Sequence, residues 1–85
     1  MSYFVYILHS EIFDRFYIGQ TNNLTLRLKQ HNAGYVHSTK PYRPWYLFYF
    51  HKVETRSESL KLERSLKNMK SRKRLLEWIE RRIEI

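Results

Sequence analysis

Apolar residues are arranged along this chain in two ways, and the change between them separates expected strands from expected helices. Tyr3 to His9 is almost continuously apolar and rich in β-prone residues, and Phe16 to Gln20 repeats that character. Runs this short favour strands over helices. The polar interval Ser10 to Arg15 lies between them, so we predict a hairpin whose first strand is covered on both faces.

Helical spacing begins after Gln20. Leu24, Arg27, Leu28 and His31 follow one another at i, i+3, i+4 and i+7, which places them on one face of a helix. Thr21 or Asn22 is the expected N-cap and Gly34 the expected C-cap, so the helix should fill residues 23–33. Because the shared face is half apolar and half polar, we expect the leucines to be buried while Arg27 and His31 face a cleft.

The rest of the chain predicts a loop, a strand and two helices. Gly34 to Pro44 is read as the loop, and Trp45 to Val53 as a third strand that is apolar on both faces. Thr55 and Glu58 form a capping-box pattern. The apolar residues that follow at helical spacing are Leu62, Leu66 and Met69 in one helix, and Leu75, Ile79 and Ile83 in another that begins near Ser71. The expected fold is α+β with the order ββαβαα, a small three-stranded antiparallel sheet flanked by helices, in a single domain over residues 1–85.

The strongest feature of the composition is its positive charge. Sixteen Lys and Arg against eight Asp and Glu give a net charge of +8, and ten of the basic residues lie from Arg56 onward. This balance indicates a polyanionic partner, most often nucleic acid, although a merely basic surface is the alternative.

The cysteine content and the lengths of the apolar runs bear on the cellular compartment of the protein. There is no Cys, which excludes disulfides and thiolate metal sites and fits a reducing compartment. No basic region precedes the first apolar run, so we expect no signal peptide. The run from Trp45 to Phe50 is far shorter than the roughly 20 residues of a membrane helix. We expect a cytoplasmic protein that does not bind membranes.

The spacing of five positions carries a family resemblance. Tyr17-Ile18-Gly19 resembles the second half of the GIY-YIG nuclease signature, and Val5-Tyr6-Ile7 occupies the place of the first half. Arg27, His31 and Glu63 match the family's following Arg, His and helical Glu. The resemblance covers roughly Tyr3 to Ile79 and is greatest to the small stand-alone bacterial members. It implies DNA hydrolysis with one Mg²⁺ or Mn²⁺.

Two charged residues suit phosphodiester hydrolysis. The guanidinium of Arg27 can contact two phosphate oxygens and stays ionised, whereas the alternative is a solvated helix face. Glu63 stands among basic residues, and a magnesium ion can be held by one carboxylate together with waters and substrate phosphate. The alternative for Glu63 is a surface pair with Lys67 at i, i+4.

The resemblance also assigns Tyr6 and Tyr17 to the active site, where either could orient or deprotonate the attacking water. A base role requires a nearby cation to lower the phenol pKa, and ordinary packing is the alternative. His31 could shuttle a proton or bind a phosphate, or it could bond the last carbonyls of its helix.

Further residues are expected to touch DNA. Gly19 lacks a Cβ and would let a ligand or the next helix approach the backbone. His37 and Lys40 lie in the loop, where simple loop polarity is the alternative, and Lys67 and Lys70 lie on the basic helices. Val5 stands where the family has Gly, and the distal Asn of the longer relatives has no identifiable match.

These expectations favour a metal-dependent endonuclease that acts on DNA, including branched or single-stranded forms. The alternatives are a non-catalytic nucleic-acid-binding module and an interaction domain with an aromatic docking surface. Larger relatives gain target choice from an attached DNA-binding domain, so here a protein partner would supply it. The enzyme hypothesis requires Tyr6, Tyr17, Arg27 and Glu63 to face one solvent-open concavity.

Overall fold

Three strands form one antiparallel sheet in the computed structural model, which describes residues 2–83. They are β1 (Tyr3–Ser10), β2 (Arg15–Thr21) and β3 (Tyr46–Val53). The strand order is β2-β1-β3, so the first strand of the chain is the central one and has antiparallel partners on both sides. The predicted α+β class and the order ββαβαα are confirmed.

The hairpin between β1 and β2 is tighter than predicted. Pairing runs without interruption from Phe4 opposite Thr21 to Ser10 opposite Arg15, so residues 11–14 alone make the turn. Asp14 has a positive φ of 49°, a conformation that Asp tolerates better than most residues. Arg72 donates to the Asp14 carboxylate at 2.7 Å and to its backbone carbonyl at 2.7 Å, which ties the turn to a distant helix.

The helices are α1 (Leu24–Ala33), α2 (Arg56–Asn68) and α3 (Arg72–Glu80). The predicted N-cap of α1 was wrong by one or two residues, because the Asn23 side chain accepts from the backbone N–H of Leu26 at 3.1 Å. The Thr21 hydroxyl instead accepts from the N–H of Asn23. Gly34 ends the helix at φ 85°, as predicted.

Two apolar clusters lie on opposite faces of the sheet, because side chains alternate along β1. Val5 and Ile7 pack against Leu66, Leu75 and Ile79 of α2 and α3. On the other face, Tyr6 and Leu8 pack with Trp45 and with three partly buried groups from β2 and α1, namely Tyr17, Leu24 and Leu28. The expectation that β1 is covered on both faces is therefore confirmed, since α1 covers one face and α2 and α3 cover the other.

The last strand differs from β1. It begins at Tyr46 rather than Trp45, and its position at the edge of the sheet leaves Tyr46, Phe48 and Phe50 about half exposed. Its apolar sequence therefore does not correspond to burial on both faces. Ile83 was wrongly included in the apolar stripe of the final helix, because it lies beyond Glu80 and is 53% exposed.

The segment between α1 and β3 is ordered by side-chain contacts. It contains a short 3-10 turn, Lys40–Tyr42, that was predicted as plain loop. The indole N–H of Trp45 donates to the Thr39 carbonyl at 2.8 Å, and the Asn32 amide bonds both backbone groups of Trp45. Thr39 is thereby held beside α1. Within residues 2–83, no helix has the length and apolarity needed to cross a membrane.

Candidate active site

Tyr6 and Gly19 form the floor of the candidate site. They are directly opposite each other in the β1–β2 pair, and the Tyr6 phenol lies over the glycine. A Cβ built on Gly19 would stand 2.5 Å from the Tyr6 hydroxyl oxygen and 2.6 Å from the ring carbon that bears it. The absent side chain therefore admits the phenol of Tyr6, rather than a ligand or the next helix as the sequence suggested.

Arg27 extends from α1 to this phenol. Its Nε–H donates to the Tyr6 hydroxyl oxygen at 3.4 Å, and Nη1 donates to Gln30 Oε1 at 3.1 Å. Arg27 and Gln30 also line a cleft of about 340 Å³, together with Gln20 and Arg56. The guanidinium is thus held on one side by protein acceptors while it borders open space, as predicted for Arg27. The same prediction was wrong for His31, which is buried, whereas Leu24 and Leu28 are only partly buried.

His31 is buried completely and both of its ring nitrogens have partners. Nε2 is 2.8 Å from the Tyr6 hydroxyl, and Nδ1 is 2.8 Å from the hydroxyl of Thr39. The expectation that His31 contacts phosphate is wrong, since no part of its side chain reaches solvent. The alternative, in which the ring bonds the last carbonyls of α1, is also not what is observed.

Burial determines the protonation state of the Tyr6 phenol. Desolvation raises its pKa above the ordinary value, and the hydrogen bond from Arg27 opposes that rise without cancelling it. The charges of Tyr17 and Glu63 add smaller upward contributions. Tyr6 therefore remains a neutral phenol at neutral pH, and Arg27 by itself does not lower its pKa as a base role would require.

His31 is neutral for a related reason. Burial, with the charge of Arg27 as a second cause, lowers its pKa from 6.5 to about 4. A group that is unprotonated throughout the physiological range does not act as a proton shuttle by charging and discharging near pH 7. The polar contacts of its ring are the hydrogen bonds with Tyr6 and Thr39.

The low pKa of His31 predicts acid sensitivity of the fold. Between pH 6.5 and about 4 the unfolded chain binds a proton at this residue that the folded chain does not. The stabilisation is therefore complete above pH 6.5 and is lost as the pH falls towards 4, by no more than about 3 kcal/mol. Urea unfolding across this range should show that the free energy of unfolding falls as the pH falls. His31→Gln should remove most of this pH dependence.

Asp14→Asn is the matched control for that measurement. Arg72 is the main cause that lowers the pKa of Asp14, so its stabilisation is lost only as the pH falls below its ordinary value of 3.8. The Asp14 variant should keep the slope between pH 6.5 and 4. An unchanged slope in His31→Gln would mean that another group carries the proton uptake.

Tyr17 lies at the boundary between this cluster and solvent. Its ring centroid is 5.0 Å from that of His31 and 6.4 Å from that of Tyr6, which confirms that the two tyrosines share a sheet face. It is only partly buried, and it lines a second cleft of about 500 Å³ with Lys67 and Lys70. Of the two candidate tyrosines, Tyr17 is the one that borders solvent.

Glu63 approaches from the other side of the sheet. Its helix, α2, packs on the face opposite Tyr6, but follows β2, which is an edge strand. The Ser59 hydroxyl donates to Gln20 Oε1 at 3.3 Å near one end of β2, and Lys67 lines a cleft with Tyr17 near the other. Glu63 lies one helical turn from each of these residues, so it stands beside the middle of the strand.

The link between Glu63 and the other site residues is electrostatic. Its negative charge contributes to the raised pKa of Tyr6, and its described contact is an ion pair with Lys67 at 3.2 Å. The alternative predicted for Glu63, an ion pair with Lys67, is therefore present. Tyr6 contacts Tyr17, Arg27 and His31. In the described part of the chain no hydrogen bond or ring contact joins Glu63 to these residues, and Glu63 lines neither the cleft of Arg27 nor the cleft of Tyr17. The expected single concavity shared by all four candidate residues is therefore not observed.

The remaining sequence-derived candidates fall into two groups. Lys67 and Lys70 line the cleft that contains Tyr17. His37 and Lys40 are exposed on the segment after α1, where Lys40 borders a separate cavity with Arg43. In the described part of the chain, no hydrogen bond or ion pair joins His37 or Lys40 to the residues around Tyr6.

Sequence reasoning missed three participants. Gln30 follows Arg27 at i+3, so helical spacing could have identified it. Arg56 opens α2 and faces the cleft of Arg27 because that helix begins beside the end of β2. Thr39 gave no local signal, since only the folding of its segment against α1 brings its hydroxyl to His31.

The arrangement suits chemistry on a phosphate diester. Two clefts flank the edge of β2; arginines line both of them, and lysines line the larger one. Within residues 2–83, no cluster of three or more His, Cys, Asp or Glu side chains could enclose a metal ion. A hard cation that keeps most of its waters needs only one or two carboxylates, and Glu63 supplies one.

Known proteins resemble this chain over most of its length. A family model described as the GIY-YIG catalytic domain matches residues 2–75. A UPF0213 protein of Listeria welshimeri is 36% identical over 80 residues, which cover 93% of this chain and 88% of that one. The solution NMR structure of a UPF0213 protein from Bacillus halodurans matches with a TM-score of 0.61 at 24% identity, covering 96% of this chain and 86% of the other.

Proposed function

The chain belongs to the GIY-YIG catalytic domain family, and from that membership and the geometry of its β2 edge we propose that it is a metal-dependent endonuclease that hydrolyses the DNA backbone. The observation that supports this most is the Arg27 side chain, held by the Tyr6 phenol and by Gln30 at the border of a cleft. A guanidinium that is hydrogen-bonded to the protein on one side and borders a cleft on the other can bind a phosphate there.

Arg27 would stabilise the charge that develops on the phosphate in the transition state. Nε and Nη1 have protein acceptors, which leaves donors of the guanidinium for substrate oxygens. Because the acceptors fix the plane of the group, little reorganisation is needed when charge develops. Arg56 lines the same cleft and would add positive charge for the adjoining backbone.

Tyr17 would position the attacking water, and Tyr6 would act through Arg27. Tyr17 is only partly buried and lies on an edge strand, so solvent can approach its side chain. Tyr6 is 2% exposed and its pKa is raised by burial, which makes it a poor base. We therefore propose different roles for the two tyrosines, which the sequence alone leaves interchangeable.

Glu63 would hold the divalent ion, Mg²⁺ or Mn²⁺. Its carboxylate is partly exposed, stands beside β2, and is an oxygen ligand of the kind that these ions prefer. When bound, such an ion polarises a phosphate oxygen and stabilises the leaving oxygen. Lys67, which pairs with the carboxylate at 3.2 Å, would have to move towards a phosphate when a metal binds.

DNA would lie along the edge of β2, across both clefts. Lys67 and Lys70 would then contact the DNA backbone nearest Tyr17. His37 and Lys40, which are exposed after α1, would contact DNA only if it extended beyond these clefts. Gly19 would contribute indirectly, by admitting the phenol of Tyr6. We propose that residues 1–85 act as one domain and that a partner protein supplies target choice.

A nucleic-acid-binding module without catalysis is the second candidate. The observation in its favour is the Glu63–Lys67 ion pair, which occupies the one carboxylate that would bind metal. Incubation of duplex, branched and single-stranded DNA with Mg²⁺ or Mn²⁺, beside EDTA controls, distinguishes the two. Cleavage that EDTA abolishes supports the enzyme, and binding without cleavage of any form supports the module.

Both candidates predict that DNA affinity depends steeply on salt. If about six phosphates are neutralised, affinity should fall roughly 10³-fold between about 50 and about 200 mM salt, through counterion release. Lys70→Gln should reduce the slope by about one contact. Lys73→Gln removes the same charge from the exposed start of α3 and should leave the slope nearly unchanged. A salt-independent affinity would contradict every nucleic-acid hypothesis.

A further inference from the structure

We infer that Thr39 is a positioning residue: its hydroxyl orders a chain of hydrogen bonds through His31 and Tyr6 that holds the Arg27 guanidinium. The chain runs from the Val36 carbonyl through these three side chains to Arg27 Nε. The function of Arg27 rests on the hydrolysis proposed above, whereas the direction of the chain can be tested without any activity.

Each end of this chain has a group that can play only one role. The Val36 carbonyl can only accept a hydrogen bond, so the Thr39 hydroxyl, 3.3 Å away, is the donor in that pair. The guanidinium of Arg27 can only donate, so the Tyr6 oxygen accepts from Nε–H. The direction of the two inner bonds follows from these outer ones.

The Thr39 oxygen, whose O–H donates to Val36, is then the acceptor towards His31, and the proposed direction places the histidine proton on Nδ1. A neutral imidazole has one N–H, so Nε2 is an acceptor. The Tyr6 hydroxyl, 2.8 Å from Nε2, therefore donates to it and keeps its oxygen lone pairs for Arg27. In the opposite direction Nε2–H and Arg27 would both donate to the Tyr6 oxygen, and the phenol proton would need another acceptor.

Burial and a backbone hydrogen bond hold Thr39 in its position. It is 1% exposed, and its backbone carbonyl accepts from the Trp45 indole at 2.8 Å. Arg27 also has a second holder, Gln30, so loss of the chain should loosen the guanidinium without releasing it completely. The expected effect on turnover is thus smaller than that of removing Arg27.

The first measurement is the histidine tautomer in the wild-type chain at pH 7. Nitrogen-15 NMR of the imidazole should find His31 protonated on Nδ1 and bare on Nε2. Thr39→Val removes the hydroxyl at similar size, and should give mixed tautomers and faster solvent exchange of the Arg27 Nε–H. Thr39→Ser should restore both signals, and Ser38→Ala, which removes an exposed neighbouring hydroxyl, should change neither.

The second measurement is kinetic. Thr39→Val should lower kcat about tenfold while KM changes less than about twofold, and Thr39→Ser should recover most of the loss. A proton on Nε2 in the wild type overturns the proposed direction. An unchanged Arg27 signal in Thr39→Val overturns the link to Arg27, and Thr39→Ala provides that comparison if the valine variant does not fold. Absence of cleavage contradicts the hydrolase proposal and leaves the NMR result valid.

Discussion

Glu63→Gln is expected to reduce DNA cleavage by about 100-fold or more, while DNA binding holds or becomes slightly tighter. The amide keeps the size and much of the hydrogen-bonding capacity of the carboxylate, but lacks the charge that a hard cation requires. Loss of the ion removes a stabilisation of the transition state worth several kcal/mol. One negative charge near the DNA phosphates also disappears.

The measurement is single-turnover cleavage, with equilibrium binding and thermal melting of the same variant. Melting should change little, because the Glu63–Lys67 pair is a partly exposed i, i+4 contact worth about 0.3 kcal/mol. Glu77→Gln is the matched control, since it removes one exposed carboxylate from α3. Equal cleavage by wild type and Glu63→Gln would show that Glu63 does not hold the metal.

Arg27→Lys is expected to lower kcat by roughly 100-fold with a much smaller effect on affinity. The substitution retains the charge and loses the planar fork, and with it the Nε–H that donates to Tyr6. Removal of one preorganised electrostatic stabiliser typically has an effect of this size. The fold should survive, because Tyr6 keeps its bond to His31 and its place in the core.

Lys29→Ala provides the control, because it removes a positive charge from the exposed side of the same helix. It should cleave within about threefold of the wild type, with a slightly weaker affinity from the lost charge. If Arg27→Lys cleaved as well as Lys29→Ala, the point charge alone would suffice. The contact between the guanidinium and Tyr6 would then have no catalytic role.

Local patterns predicted the elements of this fold well, since each depended on nearby residues. The caps at Gly34, Thr55 and Ser71 stand where turn chemistry places them. The mixed face of α1 predicted that Arg27 borders a cleft. The N-cap of α1 was a local error. The other errors occurred where burial depends on position in the sheet, because the apolar sequence of β3 does not reveal that it is an edge strand.

The sequence predicted which residues belong to the candidate site. It did not predict their burial or the hydrogen bonds between them. The sequence offers Tyr6 and Tyr17 as equal candidates, and only the structure shows that Tyr6 is buried while Tyr17 is partly exposed. Thr39 is separated from Tyr6 by 33 positions and carries no motif, so its bond to His31 depends on tertiary structure. The approach of Glu63 around an edge strand likewise requires the packing of α2.

The strand order β2-β1-β3 has a consequence for synthesis on the ribosome. The central strand is made first, and β2 pairs with one of its edges after a turn of residues 11–14. The partner for its other edge begins at Tyr46, 25 positions after β2 ends at Thr21, so these residues must be added before that pairing can form. During that interval a nascent chain exposes an apolar strand with one open edge, the kind of surface that draws chaperones or a neighbouring chain.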